Sequence, residues 1–172
     1  TPLYIGERIN SVQNEYSDNY SVIKDCNMII GEMKDTKSEL AKQLLGTAWA
    51  IRSICYYNLL IRFCEPYNPI SAEDKLGLPL IDRFDMEAKP SRSDLKTTVS
   101  FIEEGFKNAI RYDISDTDYI FTSDVAKAYL TKLYFWTQQW EKAIQYAEEL
   151  LSKYPMLEAN QYEEVMQNKF TQ

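Results

Sequence analysis

The chain has 172 residues, 45% of them hydrophobic, and a formal net charge of −7 with no histidine. That length suffices for one sizeable core, and no apolar run approaches the span of a bilayer. The acidity argues against a surface that tracks phosphates, so no nucleic-acid partner is expected, and the lack of His excludes His triads and His metal sites within these residues.

Thr1-Pro2 opens directly into polar sequence, without the pattern of a signal peptide. The first predicted helix runs from about Ser11 to Lys34, with Val12, Tyr16, Tyr20, Ile23, Asn27, Ile30 and Met33 on one face. Asn27 interrupts that apolar row, and the expectation is a buried amide that bonds a neighbouring helix or loop and fixes register. A short turn at Asp35–Lys37 leads into the central helix, Ser38–Pro66, which predicts an antiparallel pair. Its face reads Leu40, Leu44, Ala48, Ile51, Cys55, Leu59 and Phe63, and Ile54, Tyr57, Leu60 and Ile61 widen it. Arg52 adjoins this stripe, so its guanidinium must either snorkel or find a carboxylate or carbonyl partner. Pro66 ends the helix.

Glu65–Pro90 contains Pro66, Pro69, Gly77, Pro79 and Pro90 and no helical period. It reads as a long ordered loop whose Leu76–Ile81 stretch lies extended against the helices. Loops of this length are uncommon and often functional; the alternatives are a packing strap or a ligand or partner surface. The next helix starts at Pro90–Asp94, capped either by Ser91 with Asp94 or by Ser93 alone, and buries Val99, Ile102, Phe106 and Ala109. Glu103 and Glu104 read as a solvated face. Asp113–Asp118 carries three carboxylates without the central Gly or twelfth-position Glu of a calcium loop, so an ordinary turn is expected and no metal.

Ser123–Tyr154 is a predicted hairpin, with Ala126, Leu130, Leu133 and Tyr134 on the first helix and Trp140, Ala143, Ala147, Leu150 and Tyr154 on the second. Thr137–Gln139 forms its turn and Pro155 its stop. Leu157, Tyr162, Val165 and Phe170 mark a further short helix. Cys26, Cys55 and Cys64 have no metal-ligand spacing and read as small apolar core residues. No cofactor motif and no nucleophile–base arrangement is present.

The hairpin resembles a tetratricopeptide repeat: counting Asp124 as position 1, Leu130 falls at 7, Tyr134 at 11, Ala143 at 20 and Pro155 at 32. The expected fold is therefore all-α, antiparallel helical hairpins in a right-handed superhelix with a long ordered loop at 65–90. The wider pattern resembles the SusD/RagB family of Bacteroidetes outer-membrane glycan-binding lipoproteins. Tyr20, Ile23 and Asn27 match its first-helix motif; Gly46, Ala48, Arg52, Tyr56, Tyr57 and Leu59 match its central helix. Leu76-Gly77-Leu78-Pro79-Leu80 matches its strap, and Pro90-Ser91-Arg92-Ser93 its next helix start. Thr47 stands where the family has Glu, so the partner of Arg52 must come from elsewhere.

The resemblance implies that residues 1–172 are one N-terminal helical domain of a longer, lipid-anchored protein on the cell-surface side of the outer membrane; the anchoring Cys itself is not in this chain. It implies a non-catalytic oligosaccharide-binding component of a TonB-dependent uptake system, with a glycan ligand and a SusC-like transporter as partners. Asn27, Arg52 and Arg92 are expected to be structural. Tyr67 with Asn68 is the pair in the long loop suited to a sugar, combining an aromatic platform with planar polar groups. The alternative is a helical-repeat adaptor for a peptide or protein.

Overall fold

The computed structural model describes residues 2–85, 87, 89–112 and 121–170, with side chains placed from residue 13 to 167 of these. The Asp113–Asp118 turn lies outside the described residues. Six helices dominate: α1 (Pro2–Met33), α2 (Glu39–Phe63), α3 (Leu95–Arg111), α4 (Ser123–Trp136), α5 (Trp140–Lys153) and α6 (Ala159–Phe170). Two short strands, β1 (Leu76–Pro79) and β2 (Arg92–Asp94), pair antiparallel between α2 and α3. The protein is all-α apart from this ribbon, as its spacing predicts. α1 begins well before Ser11.

Consecutive helices from α1 to α5 pack on one another, and α4 also touches α2. The core joins Ile23 of α1, Tyr56, Leu59 and Leu60 of α2, Ile102 and Phe106 of α3, and Leu130 and Leu133 of α4. All four residues expected inside α3, and all four on α4, are buried. α2 touches neighbours on several sides, and its buried residues are spread around it accordingly.

The expected α2 face is corrected at its N-terminal end. Leu40 is 58% exposed and Leu44 39%, and Leu45 is buried instead. The physical reason is drift: over the 23 residues from Leu40 to Phe63 the row turns about 140° past whole turns, so its ends cannot face one core. Ile61 is exposed as well. On α5 only Ala143 is buried, while Trp140 and the C-cap residue Tyr154 are about half exposed: among the described elements only α4 packs on α5, and it touches each of the two on one side, through the Phe135 ring and the Asp124 carboxylate. α6 packs on none of the other described elements and exposes Tyr162, Val165 and Met166.

The cap of α3 is Asp94, whose side chain accepts from the Thr97 amide at 2.7 Å. The Ser93 hydroxyl instead donates to the Leu78 carbonyl at 2.9 Å, because residues 92–94 are a strand here and not part of the helix start. Glu103 is not on a solvated face. It accepts from Lys107 at 2.6 Å and Tyr134 at 2.9 Å, and Lys142 of α5 approaches to 3.6 Å. Burial pushes its carboxyl pKa up, but these donors and cations outweigh it and leave the pKa lowered. Glu104 remains exposed.

Two outcomes follow from this packing. Glu103→Gln should cost about 1 kcal/mol at neutral pH in urea unfolding. Because the folded pKa lies below the unfolded one, that contribution is complete above the ordinary glutamate range and lost as pH falls through the folded value; variant and wild type should therefore converge in acid. Gly77 lies so close to α3 that an added Cβ would sit 2.0 Å from Thr98 Oγ1 and 2.4 Å from the Asp94 carbonyl oxygen. Gly77→Ala should destabilise by about 1–3 kcal/mol through overpacking against backbone that cannot move aside. A thermal melt unchanged from wild type would refute that close approach.

Candidate binding loop

Residues 64–94 form the one long connection between packed helices among the described residues, and side chains of α1, α2 and α3 hold its backbone at Leu78, Pro79, Ile81 and Asp82. The ribbon is anchored first. The Leu78 amide donates to Thr98 Oγ1 at 3.0 Å, and Arg92 donates from Nε to the Gly77 carbonyl at 2.6 Å and from Nη2 to the Leu76 carbonyl at 3.2 Å. Arg92 thus satisfies strap carbonyls that the short ladder leaves open.

The second anchor is a buried polar cluster. Arg52 is 3% exposed and Asn27 2%. Arg52 Nη1 donates to Asn27 Oδ1 at 2.7 Å, and Asn27 Nδ2 donates onward to the Ile81 carbonyl at 2.8 Å. Tyr56 brackets the same peptide: its hydroxyl accepts from the Ile81 amide at 2.8 Å and lies 3.2 Å from the Ile81 carbonyl. Tyr20 donates to the Pro79 carbonyl at 2.9 Å. The guanidinium also reaches toward the Asp82 carbonyl at 3.5 Å and lies 4.1 Å from the Trp49 ring centroid and 5.3 Å from that of Phe101. Arg52 therefore does not snorkel. Its partners are an amide oxygen, a carbonyl and two aromatic faces, in place of the carboxylate that Thr47 cannot supply. Burial draws the Arg52 pKa down against the raising influence of Tyr56, Cys26 and Asp82, and burial pushes the Tyr56 hydroxyl up to about 12.

Tyr20 and Tyr56 are the residues that sequence reasoning missed. Tyr20 was legible as a member of an apolar row and Tyr56 only as part of the central-helix motif, but a tyrosine carries a hydroxyl that needs a partner once buried. That signal points to a polar contact without saying that the partner is a loop 25 or 59 residues away.

Tyr67 and Asn68 sit on the opposite flank of the loop. Tyr67 is half-buried, its ring 6.0 Å from that of Trp136, and its carbonyl accepts from Gln138 Nε2 at 3.4 Å. Asn68 is exposed, and its Oδ1 accepts from the Ile70 amide at 3.0 Å, closing a local turn that does not use the Nδ2 group. Beside them, Tyr57, Phe135, Trp136, Trp140 and Ile144 line an apolar cleft of about 480 Å³ between α4 and α5. Beyond Ile81, the segment carrying Arg83, Phe84 and Asp85 borders two smaller clefts of about 300 Å³ each. The long loop thus has a pinned middle and two exposed flanks. No group of three His, Cys, Asp or Glu residues that could hold a metal occurs among the described residues, and none of their helices is long and apolar enough to cross a membrane.

Comparison with known proteins places this architecture. A search of curated proteins gave no match. Among solved structures, the fold is similar to a putative sugar binding protein from Bacteroides vulgatus, with TM-score 0.72 and 23% identity over 80% of this chain and 32% of that one. It is similar to a SusD superfamily protein from Bacteroides thetaiotaomicron, with TM-score 0.70 and 24% identity over 79% of this chain and 31% of that one. It is also similar to a laminarin binding SusD-like protein, with TM-score 0.63 and 20% identity over 80% and 29% of the two chains. The chain therefore spans about a third of the length of these structures. The family model SusD-like_3, described as starch-binding and associating with the outer membrane, matches residues 5–135. That match covers more than half of the sequence, and with it the chain belongs to the SusD-like family.

Proposed function

We propose that this chain is the N-terminal helical unit of a non-catalytic oligosaccharide-binding protein that serves outer-membrane nutrient uptake. The observation that carries the reading is the loop at 64–94, held at Pro79, Ile81 and Asp82 by four side chains from two helices, within a family described as starch-binding. A rigid scaffold that presents an ordered loop is what weak, polyhydroxylated ligands require, since ordering a loop on binding would consume much of a small binding energy. In this reading the full-length protein is lipid-anchored on the cell-surface face and caps a SusC-like TonB-dependent transporter. The helices act as scaffold and transporter contact, and no step of covalent chemistry is required of them.

Tyr67 and Asn68 are proposed ligand contacts. Tyr67 offers an aromatic face steadied by Trp136, and Asn68 retains its Nδ2 donors beside it. A second reading, a repeat adaptor that binds a helical peptide, is favoured by one observation: the α4–α5 cleft is lined almost wholly by carbon, with Phe135, Trp140 and Ile144 exposed. Sugar hydroxyls buried there would lose water without gaining partners.

Affinity electrophoresis of the chain through gels containing soluble starch or laminarin distinguishes the two. Retardation by either polysaccharide is the expected result, and Tyr67→Ala should weaken it by about tenfold if the ring is a main contact. Full mobility in every polysaccharide gel, together with binding of an amphipathic peptide, would replace the uptake reading by the adaptor.

A further inference from the structure

We infer that Arg83, Phe84 and Asp85 form a second sugar subsite, a platform for one neutral pyranose unit on the flank of the loop away from Tyr67. The inference rests on the glycan-binding reading above and assigns a location to it. Its first support is the anchoring. Ile81, two residues before Arg83, is fixed through both of its backbone polar groups, its carbonyl by Asn27 and Tyr56 and its amide by Tyr56. Arg83, Phe84 and Asp85 are all exposed and begin two residues beyond this fixed point.

The second support is unspent binding capacity. Arg83 is exposed and makes no hydrogen bond, ion pair or ring contact among the described residues. Its planar guanidinium has five donors in a fixed fork. Phe84 is 47% exposed, so a face of its ring is open to a ligand. Asp85 uses Oδ1 to accept from the Glu87 amide at 3.0 Å, which orients the carboxylate and leaves its other oxygen to accept from a hydroxyl.

The third support is shape. One cleft of about 300 Å³ is bordered by Tyr20, Lys24, Ile81, Arg83, Phe84 and Asp85. A second, of about 310 Å³, is bordered by Leu80, Asp82 and Pro90, and the two share Ile81, Arg83 and Asp85. A pyranose has a flat C–H face and a rim of vicinal hydroxyls, each both donor and acceptor. Phe84 matches the face, and the adjacent donor of Arg83 and acceptor of Asp85 match the rim. A phosphate or sulfate is disfavoured because Asp85 borders both clefts with Arg83, and Asp82 adds a second carboxylate to one of them.

The test is isothermal titration of the 172-residue chain with soluble starch and laminarin oligosaccharides, comparing wild type with Phe84→Ala, Arg83→Gln and Tyr67→Ala. All three sites are at the surface, and circular dichroism melts establish that each variant is folded. Phe84→Ala and Arg83→Gln should each weaken binding by about tenfold, with Arg83→Lys recovering only part of the loss because an ammonium lacks the planar fork. Wild-type binding with both 83 and 84 variants unchanged overturns the subsite while leaving glycan binding in place. A wild-type chain that binds neither sugar overturns both.

Discussion

A guanidinium removed from water must be satisfied where it lies, and in this protein the satisfaction of Arg52 organises the surface. Among the described residues its shortest hydrogen bond is to Asn27 Oδ1, at 2.7 Å, and Asn27 in turn donates from Nδ2 to the Ile81 carbonyl. The chain of bonds runs from α2 through α1 to the loop. A hydrogen bond to a buried charged group contributes about 1.5–3 kcal/mol, and removal of one partner leaves the other desolvated and unpaired. Arg52 and Asn27 therefore depend on each other, and the loop depends on both. The aromatic faces of Trp49 and Phe101 complete the setting by giving the cation somewhere favourable to lie.

The remaining architecture serves to bring these groups together. α1 and α2 form the antiparallel pair that places Asn27 against Arg52, and α3 closes the far side through Phe101. The ribbon then holds the loop's ends: Arg92 and Ser93 bond strap carbonyls, and Gly77 admits the close approach to Thr98 that these bonds need. The α4–α5 hairpin takes no part in that cluster. It is tied to α3 by Glu103, Tyr134 and Lys142 and leaves its outer aromatic face open. Scaffold and presenting loop are thus separable functions of one small unit.

Much of this was legible in the sequence. The helical periods located all of the packed helices, the Leu-Gly-Leu-Pro-Leu strap lay where its apolar content put it, and a single amide in an apolar row marked Asn27. What failed did so for identifiable reasons. Leu40 and Leu44 were assigned to the core from a repeat that outruns 3.6 residues per turn, and the helix carried them around to solvent. Trp140 and Tyr154 fit an inward pattern, but burial requires neighbours on more than one side, and among the described elements only α4 packs on α5. Ser93 had the composition of a cap and became a strand residue, because pairing with Leu76–Pro79 is a tertiary event that local spacing does not encode. The tyrosine anchors of the loop were the least legible: carbonyls carry no sequence signature, and the hydroxyls that meet them belong to Tyr20, read as part of an apolar row, and Tyr56, read only as part of a motif.

Amide hydrogen exchange in Asn27→Leu tests the dependence of the loop on the buried cluster most directly. Leu fits the apolar row of α1 but can neither accept from Arg52 nor donate to Ile81. The Ile81 amide, bonded to Tyr56, should exchange much faster than in the wild type, while the Leu78 amide, bonded to Thr98 outside the cluster, should keep its protection. An Ile81 amide as protected as in the wild type would contradict a loop held by Asn27 and Arg52. Uniform loss of protection across the helices would show instead that the cluster supports the core as a whole and not the loop in particular.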